Sequence, residues 1–156
     1  MLFRSVRVAE EIATQWSQLN STVTVDVAAL DRYQQRLESN DFDVALVELV
    51  LGVDPDVYAY WHEGQYPDGQ NYGGVNDRRI SELLERGRTD ASGINRAIYY
   101  RDFQHEFVDR AIALPLYYPL YSYAVASHIS GVQLGLMSHP TDRFRTIQSW
   151  DIQQAD

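Results

Sequence analysis

The feature that most constrains the fold is the run Asp41–Val50 (DFDVALVELV), which is almost entirely apolar after Asp43. A strand that is covered on both faces needs apolar residues at consecutive positions, because successive side chains point to opposite faces. Three further elements precede this run, namely a helix over 4–19, a strand over 22–27 and a helix over 32–39. Helices that alternate with strands in this order predict an α/β fold, with a central mixed sheet flanked by helices.

A long irregular segment follows between Gly52 and Asp77. It is rich in glycine and tyrosine, and a loop of this length inside a domain is usually functional or packs against another domain. Beyond it, the apolar periodicity predicts one helix that is capped by Asn76 or Asp77 and runs to about Arg88, and a longer one from about Ile94 to Ala113. Alternating segments then predict strands over 114–118, 120–127 and 143–152.

Composition excludes several classes of protein. Thirteen basic against twenty-two acidic side chains give a formal charge of −9, which argues against a nucleic-acid partner, since phosphate binding needs a basic face. The absence of cysteine excludes disulfide scaffolds, thiolate metal sites and cysteine nucleophiles. The 156 residues correspond to a single domain, 1–156, or to one lobe of something larger. No apolar run approaches the roughly 18 residues that a membrane helix needs.

Asp54 and Asp56, on either side of Pro55, are the first candidates for chemistry. Two neighbouring carboxylates can act as an acid/base pair or as cation ligands, but the further oxygen ligands of a calcium loop are missing here. We therefore favour a helix cap at Asp54 or Asp56. No histidine spacing indicates a metal site, no serine stands in a GxSxG setting, and Gly73-Gly74 lacks the residues of a phosphate loop. We expect no catalytic residue, no cofactor and no metal.

Several stretches together resemble one family. The chain is similar to the C-terminal part of the extracellular solute-binding proteins of family 5, the oligopeptide, dipeptide and nickel class. The resemblance runs from about residue 4 to 150 and depends on these segments in this order: Val23-Thr24-Val25, Phe42-Asp43-Val44-Ala45-Leu46, Asp54-Pro55-Asp56 with Tyr58, Asn71-Tyr72 leading to Asn76 and the Ile80/Leu83/Leu84 helix, Leu114-Pro115-Leu116-Tyr117, Tyr123-Ala124-Val125 and Ile129-Ser130-Gly131-Val132.

The resemblance implies a fold and a set of partners. Such proteins have two α/β lobes of the type II periplasmic-binding-protein fold, which close on a solute and deliver it to an ATP-binding-cassette importer. The chain would then be the C-terminal lobe, with the N-terminal lobe of the same parent chain and the importer's membrane subunits as partners. The solute would be a peptide, a sugar or a chelate. The start MLFRSVRVAEEIA has no signal peptide, so the periplasmic or extracellular, membrane-associated location follows only for a longer parent; without one we expect a cytoplasmic protein.

The resemblance and the end of the predicted strand indicate the same candidate binding site. Ligands of open α/β sheets lie beyond the carboxyl ends of the strands. The position at which peptide-binding members place an aspartate for the peptide ammonium falls on Leu51, and Glu48 is the acid that could replace it. Arg36 matches a ligand-reaching position of the family. The predicted ligand-binding residues are Arg36, Glu48, Leu49, Leu51, Gly52, Asp54, Asn71 and Tyr72.

Other functions remain open on the sequence alone. The same fold also serves as the ligand-sensing domain of transcriptional regulators. A small carboxylate hydrolase that uses Glu48, Asp54 or Asp56 is a third hypothesis, although no nucleophile–base pair accompanies these acids. Apolar and aromatic side chains of the 52–77 segment, if they face a missing lobe, would also favour self-association.

Overall fold

The computed structural model describes residues 2–118, 120, 122–135, 137 and 139–152. Helices dominate this part of the chain, and the sheet content is one short antiparallel pair. The helices and strands are α1 (Leu2–Ser17), α2 (Leu30–Glu38), α3 (Tyr58–Trp61), α4 (Arg78–Thr89), α5 (Gly93–Asp109), β1 (Ile129–Ser130) and β2 (Asp151–Ile152). Short 3₁₀ turns cover Glu63–Gln65, Pro140–Phe144 and Ile147–Ser149. In the sheet, Ile129 lies opposite Ile152 and Ser130 opposite Asp151.

The core is built around α4, which packs against both α5 and α3. Apolar residues of α4 at helical spacing, Ile80, Leu83 and Leu84, are almost completely buried. Tyr100 and Phe103 of α5 complete this cluster from the facing helix. The predicted helices over 77–88 and 94–113 are thus confirmed, although the second one ends at Asp109.

Side-chain caps fix where these two helices begin. The Oδ1 atom of Asp77 accepts a hydrogen bond from the Ile80 amide at 3.1 Å, and the Oγ atom of Ser92 accepts one from the Asn95 amide at 3.4 Å. Each bond satisfies one of the amides that the first turn of a helix leaves without a partner. Local sequence therefore sets the start of both core helices.

The predicted strands over 22–27 and 41–50 are not formed. Residues 21–29 and 44–52 are neither helical nor paired, and no backbone-to-backbone hydrogen bond links residues 42–56 to the described part of the chain. One side-chain bond holds the second segment, from the Tyr33 hydroxyl to the Leu46 carbonyl at 2.9 Å. Strand patterning becomes a strand only when a neighbouring strand accepts its backbone bonds. The α/β lobe with its central sheet stays a prediction.

The strands predicted near the C-terminus differ as well. Described residues of the 114–127 region have no regular structure apart from a turn at Ser127, and Pro119 and Tyr121 lie outside the described residues. Within the predicted strand 143–152, only Asp151–Ile152 is a strand, and 3₁₀ turns end at Phe144 and span Ile147–Ser149. Hydrogen bonds from the Thr146 hydroxyl to the Gln133 carbonyl and from the Ser149 hydroxyl to the Gly131 carbonyl hold these turns. Side-chain bonds to the backbone thus compete with a strand here.

Two compact units divide the chain. The first comprises residues 1–50 and 56–112, and therefore contains α1 to α5. The second comprises residues 51–55 and 113–156, with β1, β2 and the later 3₁₀ turns. Within the described residues, no helix has both the length and the apolar character that crossing a membrane requires.

Gly87 marks the closest approach of α4 and α5. A Cβ atom at this position would lie 2.9 Å from Cζ of Tyr100 and 3.1 Å from its Cε2 atom. Both residues are buried, so the ring has little room to move aside. The absence of a side chain at Gly87 therefore allows the two helices to pack.

We predict that Gly87→Ala lowers the free energy of unfolding by about 1–3 kcal/mol, because the methyl group overpacks the Tyr100 ring. Urea unfolding followed by circular dichroism measures this change. Gly93→Ala is the matched control, since nothing lies within 4 Å of a Cβ atom at that helical position. The control is expected to leave stability unchanged or slightly raised. Equal effects of the two substitutions would contradict the close approach.

Candidate functional site

The candidate functional site is the loop of residues 62–76, which lies between α3 and α4. Asn71 lies at its centre and is only 1% exposed. The Nδ2 atom of Asn71 donates to the carbonyls of His62 at 3.2 Å and Val75 at 2.8 Å, and its Oδ1 atom accepts from the Val75 amide at 2.9 Å. The side-chain amide of Asn71 therefore joins His62 and Val75, which lie near the two ends of the 62–76 loop.

His62 connects this loop to α4. The ring is 7% exposed, and its Nδ1 atom accepts a hydrogen bond from the Gly64 amide at 3.0 Å. Because a backbone amide can only donate, Nδ1 carries no proton, and the Nε2 atom donates to Oε1 of Glu85 at 3.0 Å. The Tyr58 ring stacks on the imidazole with centroids 4.0 Å apart. The imidazole of His62 is thus oriented by hydrogen bonds at both ring nitrogens.

Charged side chains surround the Glu85 end of this pair. Arg78 donates to both carboxylate oxygens of Glu85, at 3.1 and 3.3 Å, and its Nη1 atom lies 3.3 Å from Glu63. The hydrogen bonds from His62 and then from Arg78 lower the pKa of Glu85 from its ordinary value. The hydrogen bonds that Arg78 donates to Glu85 and, next in size, to Glu63 raise the pKa of Arg78. The site holds a network of fixed charges on one side of α4.

Asp56 bonds the first amide of α3, although the N-cap position of that helix is Val57. Its Oδ1 atom accepts from the Tyr58 amide at 3.0 Å, at the start of α3, and its Oδ2 atom lies 2.9 Å from Nε of Arg88. The Arg88 guanidinium in turn lies 4.5 Å above the centre of the Tyr58 ring. Asp56 therefore orients α3 and the aromatic stack on His62.

A cavity of about 410 Å³ opens beside the 62–76 loop. It is lined by Glu63, Gly64, Tyr66, Gly74, Val75 and Asn76. The backbone of the lining residue Glu63 is held in place, because its amide donates to Oγ of the buried Ser81 on α4 at 3.2 Å. The Tyr66 ring lies against Gly74, whose φ of +61° belongs to the left-handed region that favours glycine. The cavity combines an aromatic ring, a carboxylate and an amide at a rigid loop.

Of the predicted site residues, Asn71 and Tyr72 belong to this loop. Tyr72 is half-buried, and burial, followed by the proximity of Tyr72, raises the pKa of Tyr33 on α2. Asn71, however, uses its amide inside the loop, so it supports the site from within.

Arg36 lies on α2 and is engaged by acids of its own unit. It pairs with Asp26, and its Nε atom donates to the Asp41 carbonyl at 2.9 Å. Its guanidinium is therefore held by the protein itself, and a ligand would have to replace one of these partners.

The other predicted site residues lie in the segment after the expected strand. Glu48 and Leu49 are exposed in the first unit, and Glu48 makes no hydrogen bond or ion pair within the described part of the chain. Leu51, Gly52 and Asp54 are exposed and belong to the second unit.

Sequence patterns missed the role of His62 and Glu85. The two residues are 23 positions apart, and no spacing rule links them. A partial signal existed on α4, where Arg78, Glu82 and Glu85 share one face at helical spacing. In the described part of the chain, no three histidine or acidic side chains are grouped closely enough to hold a metal ion. No known protein family, curated protein or solved structure was found to match the chain.

We predict that Asn71→Ala lowers the free energy of unfolding by about 2–4 kcal/mol, because it leaves buried backbone groups of the loop without partners. Urea unfolding and limited proteolysis within residues 62–76 report the two effects. Asn76→Ala is the control, since Asn76 is an exposed residue of the same loop. That variant should stay within about 0.5 kcal/mol of the parent. A loop that resists protease equally well in both variants would disprove the role of Asn71.

We also predict a pH-dependent contribution from Glu85. Its folded-state pKa lies below 4.5, so the ionised form contributes stability that is complete above about pH 4.5 and is lost as the pH falls through the lower folded value. Glu85→Gln should be less stable than the parent at pH 7, and this difference should shrink towards pH 3. Urea unfolding at the two pH values measures it. Glu38→Gln, at an exposed position without ion pairs, should differ from the parent at neither pH.

Proposed function

We propose that this chain is the solute-binding component of an ATP-binding-cassette importer, and that it is one of two lobes that close on the solute. The observation that carries this proposal is that the Asn71-Tyr72 to Asn76 stretch and the Ile80/Leu83/Leu84 helix form one continuous structure. These residues also carry the family resemblance. Among the matching residues, Asn71 bonds within the loop, and Ile80, Leu83 and Leu84 are buried in the core. This arrangement supports the proposal.

A second observation supports the proposal that the segment after Asp43 pairs with strands of another lobe. The strand-patterned segment after Asp43 exposes apolar side chains that a domain normally covers, among them Val44 at 66%, Val47 at 39% and Val50 at 74%. Within the described residues, its backbone makes no backbone-to-backbone hydrogen bond, and the Leu46 carbonyl accepts one from the Tyr33 hydroxyl. Unpaired, apolar strand segments are a liability that proteins normally cover or pair. Strands from the N-terminal lobe of a longer parent chain would supply both the hydrogen bonds and the cover.

The proposed binding mode follows from which groups are available. Glu48 is an exposed carboxylate without a partner in the described residues, so it is the acid that can receive a cationic group of a peptide or chelate. Leu49, Leu51 and Gly52 would provide apolar contact and close backbone approach. Asn71 would act by holding the loop, and Tyr72 would lie at the rim. Binding of this kind changes no covalent bond, so the proposed protein is not an enzyme.

The location is proposed on the same basis. A receptor of this class works in the periplasm or at the outer surface of the cell, associated with the membrane through its longer parent chain. Its partners are the solute, the N-terminal lobe and the membrane subunits of the importer. Self-association remains part of the proposal, but its surface differs from the expected one. Tyr58, Tyr60 and Trp61 of the 52–77 segment pack against the core, whereas exposed apolar side chains in and just before that segment include those of Val44, Val50, Val53 and Tyr66.

We predict that the native polypeptide, as its source organism makes it, binds one class among short peptides, metal chelates and oligosaccharides with micromolar or tighter affinity. Isothermal titration calorimetry measures the affinity, and mass spectrometry of the recovered solute should show no change. The chain alone should bind the same solute about 100-fold more weakly or not at all, because the cleft is formed by both lobes. In the native polypeptide, Glu48→Gln should weaken a cationic ligand by about tenfold or more.

Two results would contradict this proposal. Conversion of the solute, abolished by Glu48→Gln or by replacement of Asp54, would establish the hydrolase. Specific binding of a DNA operator by the native polypeptide, relieved by a solute, would establish the ligand-sensing regulator. Glu38→Gln serves as the control for the change of charge, because Glu38 is an exposed acid of α2.

A further inference from the structure

The two ring nitrogens of His62 make hydrogen bonds to two different elements. One ring nitrogen holds the loop, through the Gly64 amide at 3.0 Å, and the other holds α4, through Glu85 at 3.0 Å. His62 is also the residue that caps the 3₁₀ turn Glu63–Gln65. Only the neutral ring can serve both partners, because Nδ1 must accept while Nε2 donates.

Protonation would affect the two bonds in opposite ways. A proton from solvent on Nδ1 turns that atom into a donor that faces the donor of Gly64, so the bond that caps the turn is lost. The bond to Glu85 gains an opposite charge and becomes stronger. The ring therefore stays on α4 while the turn loses its cap. Gly64 and Glu63 line the cavity, so the change reaches its wall directly.

The charges around His62 are arranged to permit this step. Glu85 on α4 accepts from the ring, and Arg78 on α4 pairs with both Glu85 and Glu63 of the turn that follows His62. Tyr58 of α3 covers the ring face, with Arg88 of α4 on its far side and Asp56 bound to that arginine. Among these charged groups, Glu85 bonds the ring directly, whereas Arg78 contacts Glu85 and Arg88 contacts the Tyr58 ring.

We propose that His62 is a proton-operated switch, in which protonation of Nδ1 releases the Glu63–Gln65 turn and reshapes the cavity while Glu85 keeps the ring in place. The switch does not depend on the transport function proposed above, because it concerns the loop of this chain alone. It makes the shape of the cavity depend on the protonation state of the His62 ring.

Nuclear magnetic resonance of the ¹⁵N-labelled chain tests the switch. The protection factor of the Gly64 amide against hydrogen exchange should fall about tenfold or more between about pH 8 and pH 5, in step with the ring resonances of His62. Gly74 is the internal control, because its amide donates to the Asn71 carbonyl at 3.0 Å in the same loop and should keep its protection. A Gly64 amide that stays protected while the His62 ring titrates would overturn the proposal, as would a ring that does not titrate while the protein is folded.

Substitutions separate the two bonds. His62→Asn keeps a short side-chain acceptor for the Gly64 amide but cannot titrate, so Gly64 should remain protected at both pH values. Glu85→Gln weakens the hold on the charged ring, so the loss of protection should require a lower pH. His105→Asn, at an exposed histidine of α5, should behave as the parent. A transition at Gly64 that persists in His62→Asn would refute the switch.

Discussion

The close packing of α4 against α5 is the constraint on which the described structure depends. Ile80, Leu83 and Leu84 bury one side of α4, and the lack of a side chain at Gly87 lets the Tyr100 ring pack closely against the same helix. Since α4 is held by this contact, its remaining surface can carry fixed polar groups. Ser81, Glu85 and Arg78 then receive the 62–76 loop through hydrogen bonds to Glu63 and His62. The conformation of the loop therefore depends on hydrogen bonds to a helix whose apolar side is buried in the core.

Elements that depend on nearby residues were predictable from the sequence, and those that depend on distant partners were not. The periodicity of Ile80, Leu83 and Leu84 and the cap at Asp77 set α4 almost to the residue. Segment 22–27 and segment 41–50 have an equally clear strand pattern, yet neither is paired. A helix closes its hydrogen bonds within itself, whereas a strand needs a partner that may lie anywhere in a protein. Pattern therefore predicts what a strand would bury, but does not supply its neighbour.

The candidate site shows the same limit at the level of single residues. Sequence placed Asn71 and Tyr72 in the functional loop, but the role of Asn71 depends on two carbonyls and an amide of that loop. Arg36 looked available on its helix, and Asp26 and Asp41 hold it instead. The pairing of His62 with Glu85 joins a loop to a helix face, so neither local pattern contains it. Residue type indicated where polar chemistry lies, and only the fold determined which polar groups are already used.

The distribution of satisfied and exposed groups has a consequence for how a partner would bind. In the 62–76 loop, the side chains of His62, Glu63 and Asn71 are bonded within the protein, so a partner gains little by replacing those bonds. In contrast, the apolar side chains of Val44, Val47 and Val50 after Asp43 are exposed to solvent, so a partner gains free energy by covering them. Covering such side chains contributes about 1.5–3 kcal/mol for each one that passes from full exposure to full burial. Lobe closure in the proposed receptor would therefore draw its free energy mainly from this apolar segment, while the loop and its histidine set the geometry that a solute meets.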